Sequence, residues 1–127
     1  NQSSENHHFL QLFMALMRLA YQRHVKELKE WAVNIAALNR ETELRFLEYC
    51  MRLIRENFIM NLHIPTLNYM TKDEAAFGAN FSRFINERNV LKITEELNNA
   101  AIDIAGNGNA KIVLFDMAVR MIILLKA

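Results

Sequence analysis

The stretch Gly106-Asn107-Gly108-Asn109-Ala110-Lys111, followed by Ile112-Val113-Leu114-Phe115-Asp116-Met117-Ala118-Val119-Arg120-Met121-Ile122-Ile123-Leu124-Leu125, decides how the rest of the chain is read. The glycines at 106 and 108 offer positive φ at low cost and end a preceding helix, while Asn109 supplies an oxygen for the first free N–H groups of the next. This order predicts a sharp helical hairpin. From Ile112 to Leu125 only Asp116 and Arg120 are charged. They stand one turn apart with the carboxylate nearer the helix N-terminus, forming one narrow polar stripe on a helix that is otherwise apolar all round. Such a helix is covered on most sides, either at the centre of a bundle or against another chain. Its length of about 14 residues rises only about 21 Å, against a hydrocarbon core of roughly 30 Å, so it is not a membrane span.

The remainder of the composition agrees with a helical reading. A chain of 127 residues suits one domain, and a domain of that size buries roughly two-thirds of the surface its unfolded chain exposes. One Pro and three Gly leave little material for the turns of an all-β protein, while 52% hydrophobic content is enough for a core. Fifteen basic residues against fourteen acidic give a net charge of +1, which provides no broad electrostatic footprint for nucleic acid or an anionic membrane. The single cysteine, Cys50, rules out an intrachain disulfide and fits a reducing compartment, so a cytoplasmic location is expected. The start, Asn1-Gln2-Ser3-Ser4-Glu5-Asn6, has neither an initiating Met nor a basic-then-apolar leader, and a fragment of a longer protein is expected.

Periodicity divides the chain into six helices. From Asn6 or His7 to about Arg23, Phe9, Leu10, Phe13, Met14, Leu16, Met17 and Ala20 recur at helical spacing. From about Val25 to Leu38, Val25, Leu28, Trp31, Ala32 and Ile35 form a second stripe. Asn39 caps the third and longest helix, in which Leu44, Leu47, Met51, Ile54 and Phe58 step by three and four, with Phe46, Cys50 and Leu53 widening the face. Its other side, Arg45, Glu48, Arg52, Arg55 and Glu56, reads as a solvated face with a favourable Glu48–Arg52 pair. Pro65 stops this helix near Asn61 to His63, and a linker runs from Thr66 to Met70. Thr71-Lys72-Asp73-Glu74 has the spacing of a capping box and introduces Phe77, Phe81, Phe84 and Ile85 on one face. Gly78 weakens that helix by about 1 kcal/mol relative to Ala. Asn86 to Asn89 breaks the pattern and caps a fifth helix through Val90, Ile93, Leu97, Ala100, Ala101 and Ile104. Short connections predict a compact all-α bundle in which sequential helices pack antiparallel, forming one domain over residues 1–127.

Catalytic and cofactor chemistry finds little footing. His7, His8, His24 and His63 include no pair at i, i+4 spacing and no neighbouring Cys, so no metal site is expected. Cys50 falls on an apolar helix face, where a thiol packs as a small hydrophobe. Gly106 and Gly108 follow a helix where a dinucleotide fingerprint requires a strand, and no phosphate-cradling loop ending in Lys-Ser/Thr occurs. Arg18, Arg23, Lys26 and Lys29 are interrupted by Glu27 and Glu30 and read as a solvated helix end, not a nucleic-acid site. Neither a cofactor nor catalysis is expected.

The runs Asn86-Glu87-Arg88-Asn89-Val90, Ile93-Thr94-Glu95-Glu96-Leu97-Asn98-Asn99-Ala100, Asp103-Ile104 and Asn107-Gly108-Asn109-Ala110-Lys111-Ile112-Val113-Leu114-Phe115-Asp116-Met117 resemble the C-terminus of bacterial DNA polymerase III delta-prime subunits, of the clamp-loader family. Phe9-Leu10-Gln11-Leu12-Phe13, Met17-Arg18-Leu19-Ala20-Tyr21, Leu28-Lys29-Glu30-Trp31 and the run from Arg45 to Glu56 resemble the same region. One departure is Asn109-Ala110-Lys111, where the family often has Asn-Pro-Lys; alanine at the first helical position keeps the helix start. The resemblance implies a non-catalytic collar domain. In that family the collars of five subunits form a ring that holds the ATPase modules together while these load a sliding clamp onto primed DNA. It further implies an ATPase-fold module upstream of Asn1, and partners that are gamma/tau-like and delta-like subunits.

On this reading the last helix supplies subunit contacts through Asp116, Arg120, Met121 and Leu124, with Asn107 and Asn109 holding the loop. No direct nucleic acid, membrane or small-molecule ligand is expected for the chain. The competing expectation is a ligand-sensing or regulatory domain whose Met and Phe residues at 13, 14, 17, 51, 58, 77, 81 and 84 line a pocket of several hundred cubic ångströms.

Overall fold

The computed structural model describes residues 2–64 and 68–127. Six α-helices make the bundle: α1 (Gln2–Tyr21), α2 (Val25–Ala36), α3 (Arg40–Asn61), α4 (Lys72–Phe81), α5 (Val90–Ala105) and α6 (Ala110–Leu124). A 3-10 turn, Ser82–Phe84, extends α4, and there is no strand among the described residues. No described helix is long and apolar enough to cross a membrane. The expected break at Pro65 and the first linker residues, Thr66 and Leu67, lie outside the described residues.

Local chemistry sets most boundaries. Asn39 accepts a hydrogen bond from Thr42 N at 2.8 Å and opens α3. The Thr71 box is complete: Thr71 Oγ1 accepts from Glu74 N at 3.2 Å, and Glu74 Oε1 accepts from Thr71 N at 3.0 Å. Helix α1 begins at Gln2, four or five residues before the expected start at Asn6 or His7. Glu5, favourable in a first turn, pairs with Arg45 of α3 at 2.9 Å and holds the polar start in place.

Helices α1 and α5 close in the same way. Arg23 and Asn107 take left-handed φ of 61° and 71°, and the following N–H groups reach back to Leu19 O and Asp103 O. Both are Schellman closures. The expectation that Gly106 and Gly108 supply positive φ is therefore corrected: no glycine has positive φ, and Asn107 takes that conformation. Gly108 is needed for a different reason, since a Cβ there would lie 2.7 Å from Asp103 O.

Packing departs from simple chain order. The most extensive interfaces are α3 against α5 and α2 against α6, with α5 on α6 next. Consecutive pairs α1–α2 and α3–α4 also touch, but they do not dominate. The core runs through Phe9, Phe13, Leu16, Trp31, Phe46 and Leu53. Trp31 packs on Phe46, and its indole N–H donates to Leu12 O at 2.9 Å, joining the first three helices. Cys50 is fully buried on α3, and burial pushes its thiol pKa well up.

Several expected faces shift. On α3 the centre of the buried face is Phe46, Cys50, Leu53 and Ile54, while Leu44, Met51 and Phe58 sit at its margins. Val25 of α2 is exposed. Phe84 belongs to the 3-10 turn and not to α4. Gly78 lets α4 approach α3 closely, because a Cβ there would fall 2.9 Å from Asn57 Oδ1 and 3.2 Å from Met60 Sδ.

Candidate functional site

The outer side of α6 brings the expected site residues into view. Leu114, Met117, Ala118, Met121 and Ile122 are buried against the bundle, so the helix is anchored along one face on α1, α2 and α5. Its opposite face is open. Ile112 is 67% exposed and Ile123 is 75% exposed, with half-buried Val119 between them at helical spacing. Exposed Val33 of α2 continues this apolar surface across a groove of about 600 Å³, walled also by Ile112, Phe115 and Val119 and rimmed by Lys29 and Asp116.

Charged and polar residues border the strip. Arg120 Nε lies 3.0 Å from Asp116 Oδ2 and 3.4 Å from Glu96 Oε2 of α5. The Asp116 hydrogen bond and charge, then Glu96, raise the guanidinium pKa above its ordinary value. Asn109 Oδ1 accepts from Ile112 N at 3.2 Å and starts the helix as expected. Asn107 is exposed in the turn.

The expected residues therefore separate into two groups. Asp116, Arg120, Asn107 and Asn109 lie at the surface, and Leu124 is half-buried. Met121 is fully buried, so within this bundle it packs the core and presents nothing to solvent. The outward apolar residues Ile112, Val119 and Ile123 are not among the residues singled out from sequence. With apolar side chains all round α6, no periodicity distinguishes inner from outer ones. The usable signal was the position of Asp116 and Arg120, which mark the solvent side.

The solvated face expected on α3 is exposed at Arg45, Glu48 and Arg55, but Arg52 and Glu56 leave it, and Arg52 joins a second polar cluster. Tyr49 Oη donates to Glu74 Oε2 at 2.7 Å, and Arg52 NH2 donates to the same oxygen at 2.8 Å. Arg52 thus turns to α4 in place of the expected pairing with Glu48. Burial raises the Glu74 pKa, but hydrogen bonds from Arg52, Thr71 N and Tyr49 outweigh it and bring the carboxyl below its ordinary range. Burial first, then the Glu74 hydrogen bond, pushes the Tyr49 hydroxyl far above its usual value. Glu56, expected at the surface, is buried and accepts from Tyr69 N.

Asn89 also has a different job from the one expected. It occupies the cap position of α5 without making a side-chain cap. Its Nδ2 instead donates to Phe84 O at 2.8 Å and Leu124 O at 2.9 Å, and its Oδ1 accepts from Asn86 N at 2.9 Å. Both clusters are saturated by the chain itself, which makes them fold-holding groups. Comparison of the chain with protein-family models, curated proteins and solved structures finds no match.

Proposed function

We propose that this chain is a non-catalytic assembly domain, a rigid helical bundle that joins other subunits through the outer face of α6 as a clamp-loader collar does. The observation that carries the reading is the outward strip of Ile112, Val119 and Ile123 on a helix whose other face is fixed in the core. Large apolar side chains held rigidly at a surface and bordered by charges lose little entropy on docking and release water when covered. The resemblance of the last two helices to delta-prime collars supplies the specific form. On this reading the chain acts within a longer cytoplasmic subunit, alongside gamma/tau-like and delta-like partners, in an assembly that loads sliding clamps for DNA replication.

The test is reconstitution of the full-length subunit with those partners, read by size-exclusion chromatography with light scattering. Ile112→Glu combined with Ile123→Glu should weaken assembly at least about tenfold, since two buried apolar anchors become charged. Both sites are exposed, so the monomer midpoint should shift by no more than about 3 °C. Failure of the unaltered subunit to join, or normal assembly of the double variant, would overturn the proposal. Arg120→Glu provides a third arm: it sets like charges beside Asp116 and Glu96 and should weaken assembly with little effect on the monomer.

The ligand-sensing alternative calls for an internal Met- and Phe-lined pocket. The Met17, Phe77 and Phe81 side chains do adjoin a space of about 420 Å³, but it opens at the surface between α1 and α4. That shape suits a segment of another protein better than an enclosed small molecule.

A further inference from the structure

The groove between α1, α4 and the 3-10 turn combines an aromatic floor with cations that have no carboxylate partner. Half-buried Phe77 and Phe84 contribute its accessible apolar surface, with buried Met17, Phe81 and Leu125 beneath them. Phe77 stacks on Phe81 with centroids 5.0 Å apart, and Tyr21 meets Phe84 at 5.0 Å. Above these rings sit positive groups. Arg18 Cζ lies 5.9 Å from the Phe77 centroid, Arg83 Cζ lies 5.1 Å from that of Phe84, and Lys126 Nζ lies 4.5 Å from that of Tyr21.

The charge arrangement is one-sided. Arg45, Arg52, Arg55 and Arg120 each have a carboxylate within ion-pair distance. Arg18, Arg83 and Lys126, like most other cations of the chain, have none among the described residues; what sets them apart is that they surround an apolar groove lined by no Asp or Glu. Cation–π contact leaves the net positive charge in place while holding each cation at the rim of an apolar floor. The complement is a surface that brings apolar side chains and carboxylates together.

We infer that this groove docks an acidic amphipathic segment of a partner protein, with Leu- or Phe-type anchors on the aromatic floor and carboxylates on Arg18, Arg83 and Lys126. Helical peptides bind such grooves through anchors at i, i+3, i+4 and i+7. Bidentate contact between carboxylate and guanidinium then adds direction. Single-stranded nucleic acid, the other ligand that combines negative charge with apolar faces, fits less well. It needs free ring faces for stacking, and here Arg18 and Phe81 flank Phe77 while Arg83 and Tyr21 adjoin Phe84. This groove is separate from the α6 strip, so the inference does not depend on the collar reading.

The experiment uses the whole chain and two matched sets of synthetic helical peptides of about 16 residues, long enough to span those anchor positions. Both sets carry Leu and Phe at the anchors; the remaining positions are Glu-rich in one set and Lys-rich in the other. Binding is read by fluorescence anisotropy, and the contact site by amide chemical-shift changes. The acidic set should bind at least about tenfold more tightly than the basic set, weaken with added salt, and shift amides around Tyr21, Phe77 and Phe84. Arg18→Glu with Arg83→Glu, both on exposed side chains, should reverse the preference while leaving the melting midpoint nearly unchanged. Equal binding of the two sets, an unchanged preference in the double variant, or shifts located elsewhere would overturn the inference. So would an oligo-dT strand that binds the groove while the acidic peptides do not.

Discussion

Each oxygen of the Glu74 carboxylate accepts two hydrogen bonds; the three from Tyr49 and Arg52 tie α4 to α3, and the fourth, from Thr71 N, caps α4. Its pKa lies below the ordinary value of 4.5. The stability it contributes is therefore fully present above that value and disappears as pH falls through the folded one. Glu74→Gln should cost about 2 kcal/mol at neutral pH, a figure kept low because Arg52 is partly solvated. In urea denaturation the gap between the two proteins should narrow below pH 4.5. The capping role of Glu74 is legible because Thr71 stands three residues away. Its bonds to Arg52 and Tyr49 are not, since those residues lie 22 and 25 positions away in the chain and only the meeting of α3 with α4 brings them together. Asn89 teaches the same lesson: local pattern marks it as a cap, yet the fold assigns its amide to three backbone groups. Asn89→Ala removes all three bonds, leaving Leu124 O only its bond from Ala127 N, and should lower stability by about 2 kcal/mol in the same assay.

The six helices are legible as elements because their apolar residues recur every three or four positions and every break but the first, Gln22 to His24, carries Asn, Gly or Pro. Legibility declines where the pattern saturates. On α3, buried Glu43, Glu56 and Asn57 interrupt the apolar count and displace the apparent centre of its face. Burial raises the Glu43 carboxyl pKa, opposed in part by Arg40. The α5–α6 hairpin separates two glycines that look equivalent in sequence. Gly106 has φ −87° and a Cβ there would have its nearest neighbour at 3.4 Å, whereas the same atom at Gly108 would press on Asp103 O. Gly106→Ala should thus be neutral or stabilise by up to about 1 kcal/mol through the unfolded chain. Gly108→Ala should cost roughly 2 kcal/mol or more, because backbone must move. Thermal melts of the two variants check the contrast.

Across the molecule, composition and periodicity suffice for an all-helical bundle, but not for the pairing of α2 with α6 or α3 with α5. Those interfaces join segments far apart in the chain, and connection length says little about them. The same gap hid the outer strip of α6, which becomes distinct only once α1, α2 and α5 have taken the other face. Trp31, held by Leu12 O and Phe46, ties three helices into one core, so its fluorescence and the backbone circular dichroism should change together on heating. Cys50 extends this to time. As the only thiol in the chain, fully enclosed at the centre of α3, it should resist alkylation in native buffer and react once the core opens. A brief pulse of iodoacetamide followed by intact-mass measurement would then count, molecule by molecule, how many chains had opened during the pulse. The protein thereby carries its own recorder of rare unfolding, readable in mixtures where an added dye would report on every other component as well.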